Sequence, residues 1–384
     1  MVLKILSIQN LFEHPVESNF LKNILCFIVG VSCTALSLPD GQIWLFDCGE
    51  ATQIQLQKSA LKMGKITKIF ITHLHGDHLF GLQGLLCSLA NGLENEKAVK
   101  KQVDVYGPHG LYKYITVSLE LSRSKLAYKL NIFELMPEAD QFGVDWAEWP
   151  VDHESHQPLC MLENSRQKLY KSLHPDNGKR FWLVYQDKMI TVRAVPITHR
   201  IPCFGFVVEE ADKTGALDVE KAKSLGVAPG PDYARLKNGE TIIILGTGLE
   251  VKPSDVVGPS QKGRKLVILG DTSETSEIQH FSLDADVVVH EATMEDSLRE
   301  KAIEFGHSTS SMAAEFAVKV KCRKLCLTHL SPRYKPLSDT TANDVESAKI
   351  IKNEAQYYLE ENDAKGIKLI VAEDFIENVI EHRP

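Results

Sequence analysis

The chain has 384 residues, 43% of them hydrophobic and 24% charged, which is the composition of a globular protein and excludes disordered, collagenous or disulfide-packed classes. Its formal net charge of -8 excludes a protein that coats nucleic acid through a uniformly basic surface. Nucleic acid as a local substrate stays open, because net charge does not fix where charges sit.

The uncharged run Ile24 to Leu38 is shorter than the roughly 18 apolar residues of a spanning helix. Its β-branched content predicts buried strands, and the charged stretch Met1 to Phe20 ahead of it disfavours a secretory signal. Pro39-Asp40-Gly41-Gln42 then turns the chain into Ile43-Trp44-Leu45-Phe46, a β-hairpin. Ile66 to Thr72 predicts a strand, His78 to Ala90 a helix, and Val103 to Tyr106 a strand with a helix after Gly107-Pro108. Residues from about 145 to 180 are polar, aperiodic and punctuated by Pro and Gly, so they read as an insertion or long loop. Strands Val192 to Thr198 and Cys203 to Val208 precede a second interruption at 209–258, which has its own helix over Asp218 to Leu225. Lys265 to Gly270, Asp286 to His290 and Lys324 to Thr328 follow as strands separated by helical patterns, and Ile367 to Ala372 closes the series. Such strands, covered on both faces, predict a layered α/β sandwich. Eight cysteines without a C-x-x-C pair point to reduced thiols in an intracellular protein, and Cys322 and Cys326 read as buried thiols because no second pair completes a zinc set.

The chemistry concentrates in Thr72-His73-Leu74-His75-Gly76-Asp77-His78, directly after a buried strand, at the end where α/β sheets place their sites. His73 and His75 can point to one side of an extended segment, while the turn at Gly76 can bring Asp77 and His78 to a second metal. Imidazole nitrogen and carboxylate oxygen suit Zn(II) in a site that keeps a position open for water. Two metals need further ligands, and His199, Asp271 and His329 each stand just after an apolar run, as does His290-Glu291. Each alone would be an ordinary structural residue.

The histidine cluster, Thr198-His199-Arg200, Leu269-Gly270-Asp271-Thr272, His290-Glu291-Ala292-Thr293, Gly306-His307-Ser308-Thr309 and Thr328-His329 together resemble the metallo-β-lactamase superfamily, specifically short-form tRNase Z (ribonuclease Z). The resemblance runs from about Ile43 to Phe375. It implies a four-layer αββα sandwich interrupted by a flexible arm: residues 1–208 form the first half with the insertion, 209–258 the arm, and 259–384 the second half. It also implies two zinc ions per subunit, one on His73, His75 and His199, the other on Asp77, His78 and His329, with Asp271 bridging. Zinc-activated water would attack phosphorus in line, with Asp77 orienting or deprotonating it. His290, the histidine of the family's HEAT motif, would protonate or stabilise the departing 3' oxygen, His307 would bind phosphate, and Asp47 would fix a ligand imidazole. The substrate implied is precursor tRNA or a tRNA 3' end, cut on its 3' side to leave a 3' hydroxyl, by a homodimer; the free thiols and the want of a targeting or spanning segment predict cytoplasm or nucleus and no membrane.

The interruption matches the arm with which this family grips tRNA. Between Lys221 and Lys237 it carries Lys221, Lys223, Arg235 and Lys237 against Asp232, a local charge of +3, and Gly230 and Pro231 allow close approach to phosphates. Two departures stand out. Gln9 to Val31 lacks the family's Gly-Thr-Gly loop, and Ala51 stands where Gly is common. The alternatives are a thioester or lactone hydrolase of the same superfamily, against which the arm and the His290 and His307 motifs argue, and a noncatalytic RNA-binding relative, against which the complete ligand set argues.

Overall fold

A computed structural model of the protein describes residues 23–28 by their backbone and residues 32–90, 100–142, 170–176, 179–339, 347–374 and 377–383 in full. Strands β1 (Asn23–Ile28), β2 (Cys33–Ser37), β3 (Ile43–Phe46), β4 (Ile66–Phe70), β5 (Gln102–Pro108), β6 (Lys129–Leu135) and β7 (Tyr170–Leu173) build a first sheet in chain order. Strands β8 (Trp182–Gln186), β9 (Ile190–Ile197) and β10 (Cys203–Glu210) begin a second sheet. After a two-stranded ribbon of β11 (Ile242–Ile243) and β12 (Glu250–Val251), that sheet continues through β13 (Lys265–Ile268), β14 (Val287–Glu291), β15 (Lys324–Thr328) and β16 (Lys368–Val371). The final strand, β17 (Glu377–Ile380), returns to pair with β1 at the edge of the first sheet. Strands β3 to β7 run parallel, as do β13 to β16, while the hairpin strands are antiparallel.

The period-2 alternation of each strand sorts its side chains between two cores. In β3, Trp44 and Phe46 enter the core between the sheets, and Ile43 and Leu45 face outer helices. Phe46, Phe70, Tyr106 and Phe133 are paired in register across β3, β4, β5 and β6. Their rings stack at 4.9, 5.0 and 4.6 Å, a ladder that locks the first sheet's inner face. Helices α1 (Thr52–Lys58), α2 (Gly76–Leu79), α3 (Leu82–Ser88) and α4 (Leu111–Leu121) belong to the first half, and buried Leu56, Leu79, Leu82, Leu85, Leu111 and Ile115 join its outer core. This is the four-layer αββα arrangement expected from the sequence.

Between β10 and β13 the chain makes a body of its own from α5 (Val219–Ser224), α6 (Pro231–Lys237), the β11–β12 ribbon and α7 (Pro253–Val256). Ala222, Val227, Leu236, Ile242, Val251 and Val256 form its small core. Its two ends meet where the Gly258 N–H donates to the Ala216 carbonyl at 2.9 Å. At its base, Arg264 grips Glu210 through two hydrogen bonds of 2.6 Å. In the second half, α8 (Ser276–Gln279), α9 (Arg299–Glu304), α10 (Ser310–Lys319) and α11 (Lys349–Glu361) follow, and residues of α8, α10 and α11 cover the outer face of the second sheet.

Several sequence expectations shift. The Ile24 to Leu38 run forms β1 and β2, and no helix among the described residues is long and apolar enough to cross a membrane. Most of the insertion expected at 145–180 lies outside the described residues, as does Gln9 to Val31 apart from the backbone of β1. Its tail is not loop: Tyr170–Leu173 pairs with β6 at the sheet edge. Strand β10 runs through Glu210, two residues beyond its expected end. Cys322 and Cys326 are buried in different cores, as expected of buried thiols, and burial pushes both up to about 12.

Candidate metal centre

The site is made where strands stop. β3 delivers Asp47, β4 the His73 to His78 segment, β9 His199, β13 Asp271, β14 Glu291 and β15 His329, all at one edge of the two sheets. Two of these residues, Asp47 and His329, hold left-handed backbone conformations at φ 62° and 54°. Non-glycine residues adopt that region at a cost, and surrounding contacts keep them there. Gly49 lets the β3 loop pass against the backbone carbonyl of Asp77, where a Cβ would collide.

His73, His75 and His199 form one donor group, and Asp77, His78, Asp271 and His329 a second. Asp271 faces both: Oδ2 lies 3.8 Å from His73 Nε2, and Oδ1 lies 3.4 Å from His78 Nε2. The hydrogen bonds assign the imidazole tautomers. His78 Nδ1–H donates to Asp47 at 2.8 Å, and His199 Nδ1–H donates to the Gly306 carbonyl at 2.7 Å. Thr72 Oγ1 donates to Asp47, which leaves it to accept from His73 Nδ1–H at 3.0 Å. Thr293 Oγ1 in the same way donates to Glu291 and accepts from His329 Nδ1–H at 3.0 Å.

Every one of these assignments turns an Nε2 lone pair inward. His78 Nε2 and His329 Nε2 then confront each other at 3.2 Å, and His199 Nε2 lies 3.1 Å from His75 Nδ1. His73 Nε2 is buried with no hydrogen-bond partner. Lone pairs and carboxylates gathered round two points in a buried site repel unless cations lie between them, so the residues fit zinc. Burial holds His73 and His199 below the ordinary histidine range, and burial with His199 and Arg200 lowers His75 to about 4. These three therefore stay neutral at pH 7, the form in which imidazole can bind a metal. Burial would raise the carboxyl of Asp77, but the His329 and His78 imidazoles beside it outweigh burial and lower it whenever they carry a proton.

Beside the donors, His307 Nδ1 lies 3.1 Å from Glu291 Oε1 and 3.7 Å from Asp271. Burial would lower its pKa, but Glu291 and Asp271 outweigh burial and raise it. Glu291 is itself fixed by the Thr272 N–H at 2.8 Å. His290 is placed otherwise. Val287 and Val289 of β14 face the inter-sheet core, so Glu291 shares the side of the donors and His290 the opposite side. There its ring packs on Phe316 at 5.7 Å, and Nδ1–H donates to the Glu291 carbonyl at 2.7 Å. The proton-donor role expected of His290 does not fit this position, because strand alternation turns it away from the cluster. His307, expected to bind phosphate, lies beside the donors as a carboxylate-paired imidazole.

In the arm, Lys221, Lys223, Gly230, Pro231, Arg235 and Lys237 are all exposed. Lys223 pairs with Glu220 at 2.9 Å, and Arg235 with Asp232 at 3.1 Å and Glu240 at 2.8 Å. The local positive charge read from Lys221 to Lys237 is thus offset by two glutamates just outside that window. Lys221 and Lys237 have no ion pair among the described residues.

The family described as Anti-Pycsar protein Apyc1 matches residues 32–120, the part that carries the histidine cluster. Zinc phosphodiesterase ELAC protein 1 of Homo sapiens is 41% identical over 341 residues, covering 88% of this chain and 90% of that relative. Ribonuclease Z of Listeria monocytogenes is 39% identical over 306 residues, 79% of this chain and 84% of that one. The chain belongs to the ribonuclease Z family. The crystal structure of human tRNase Z, short form, matches this ribonuclease Z family member with a TM-score of 0.61 at 30% identity, over 93% of this chain and 99% of that one. A long-form RNase Z from yeast shares the fold with a TM-score of 0.53 at 16% identity, over 96% of this chain and 43% of that one.

Proposed function

We propose that this member of the ribonuclease Z family is a zinc-dependent endoribonuclease that processes the 3' end of precursor tRNA and leaves a 3' hydroxyl on the tRNA. Relatives of near-equal length that are named ribonuclease Z and zinc phosphodiesterase support it. The observation that carries it is the pair of inward-facing lone-pair groups sharing Asp271.

His73, His75 and His199 would hold one zinc ion and Asp77, His78 and His329 a second, with Asp271 within reach of both groups, and the metal would supply the Lewis acidity that lowers the pKa of water to about 7. Asp77, ionised and with its side chain 54% exposed, orients the attacking water and takes its proton. Glu291 keeps His307 charged and aimed at the donors, and His307 passes its proton to the departing 3' oxygen. That proton is what favours a phosphodiester over a thioester. An alkoxide leaves poorly without one, whereas a thiolate has a pKa of about 8.5 and leaves unaided. Asp47 holds His78 directly and His73 through Thr72, setting both ligands at once.

The arm binds the body of the tRNA. Lys221 and Lys237 supply cations, and Gly230 opens the backbone ahead of Pro231 at the start of α6. Two copies assemble so that one subunit's arm serves the other's active site. Incubating the purified protein with one precursor tRNA and mapping the ends tests the reading, with a thioester assayed in parallel. A single cut at the 3' side with a 3' hydroxyl is expected. Thioester turnover without RNA cleavage rejects it.

A further inference from the structure

We propose that Phe80, braced by Tyr114, is a stacking platform for an unpaired nucleobase next to the scissile phosphate, an inference that rests on the RNA reading above. A lone exposed apolar side chain needs no explanation. Phe80 differs in where it stands and in how it is held. It closes the short helix α2 that carries Asp77 and His78, yet the residue is 59% exposed.

The ring lies across Gly76, where a Cβ would strike it, so no side chain separates it from the metal-binding turn. Its backbone N–H donates to the Gly76 carbonyl at 2.8 Å, and the next N–H, of Gly81, donates to the Cys48 carbonyl at 3.0 Å. On one side, the Tyr114 ring packs nearly parallel to Phe80, at 19° with centroids 6.4 Å apart. Tyr114 is in turn held on α4, whose Tyr114 carbonyl accepts from Gln83 Nε2 at 3.3 Å.

The result is a rigid aromatic face beside Asp77, backed by a second ring. A nucleotide whose phosphate is held at the donors places its own base within reach of this turn. Unpaired bases are bound by proteins in just this way, on aromatic faces, and without sequence preference because every base has a π face. Phe80 has no polar group to read a base edge. The platform therefore holds the single strand at the cleavage point while tolerating any base, which a processing enzyme with varied substrates requires.

A coupling experiment on the intact protein tests this. The wild type, Phe80→Leu and Phe80→Trp are assayed on a precursor tRNA and on versions with an abasic nucleotide at each of the two positions flanking the cut. Leu keeps the bulk against Gly76 and Tyr114 and removes the π face. With the natural RNA, Phe80→Leu is expected to lower kcat/KM about tenfold, and Phe80→Trp to retain it. At one flanking position, the abasic RNA costs the wild type a similar factor and costs Phe80→Leu nothing more. Losses that multiply at both positions overturn the platform. Failure of the wild type to cut the natural RNA at all sinks the functional reading instead, so the two failures are told apart.

Discussion

At the carboxyl edge of the two sheets, each proposed ligand histidine with an assigned tautomer has its outer nitrogen tied to a buried partner, whereas the arm keeps its charged side chains in solvent around a core of a few apolar residues. The difference fits the role proposed for each region. Chemistry at phosphorus needs donors fixed before substrate arrives, since reorganisation during the reaction raises the barrier. Capture of a large polyanion needs reach and charge, and solvated lysines tolerate imprecision.

The contrast can be broken in order of expected effect. Asp77→Ala is expected to lower single-turnover cleavage by more than about 10³-fold while filter binding of tRNA persists; equal cutting by the variant contradicts the role given to Asp77. His307→Ala is expected to cost roughly 10²–10⁴-fold in kcat, the range for a lost proton donor, and His290→Ala less than about tenfold, its effect falling on thermal stability through the lost packing on Phe316. The reverse ranking restores the expectation drawn from the sequence. pH sharpens this pair. Glu291 helps raise the His307 pKa, and a proton donor acts only below its pKa. The rate therefore falls on the alkaline side, and Glu291→Gln moves that fall to lower pH.

The arm is expected to separate cleanly. Because Ala216 and Gly258 already touch, replacing residues 217–257 by a short glycine link should leave the body folded and turnover of a small phosphodiester intact, while KM for precursor tRNA rises at least about tenfold. Loss of both activities would make the arm part of the fold. Within the arm, Leu236→Ala removes a buried anchor worth about 2–5 kcal/mol. Hydrogen exchange should then rise across residues 219–251 and not in β3 or β4. The smallest effect belongs to Ala51, which holds φ 61° just before α1. Ala51→Gly relieves left-handed strain and should stabilise the protein by about 0.5–1 kcal/mol in denaturant unfolding.

Much of this was legible in the sequence, for physical reasons that differ by region. Strands β4, β13 and β15 announce themselves as apolar runs, and the residues just past them can only lie at the sheet edge, so His73, Asp271 and His329 could be placed together without coordinates. Strand β6 was missed because Lys129, Asn131 and Glu134 interrupt its apolar residues, and β7 because Tyr170–Leu173 follows a long polar segment. His290 was aimed wrongly although the signal was present: Val287 and Val289 face the inter-sheet core, so parity puts Glu291 on that side and His290 on the other. The Glu291–His307 pair joins two separate motifs, and only the fold shows them 3.1 Å apart. Ion pairs in the arm likewise depended on which glutamates the helix ends bring within reach of Lys223 and Arg235.

Zinc stoichiometry by native mass spectrometry, on wild type and His199→Ala, tests the shared metal cradle most directly. Two ions per wild-type chain and fewer in the variant are the predicted result. Zinc content that His199→Ala leaves unchanged, or a wild type that binds none, would contradict the convergence of these strand ends on common ions.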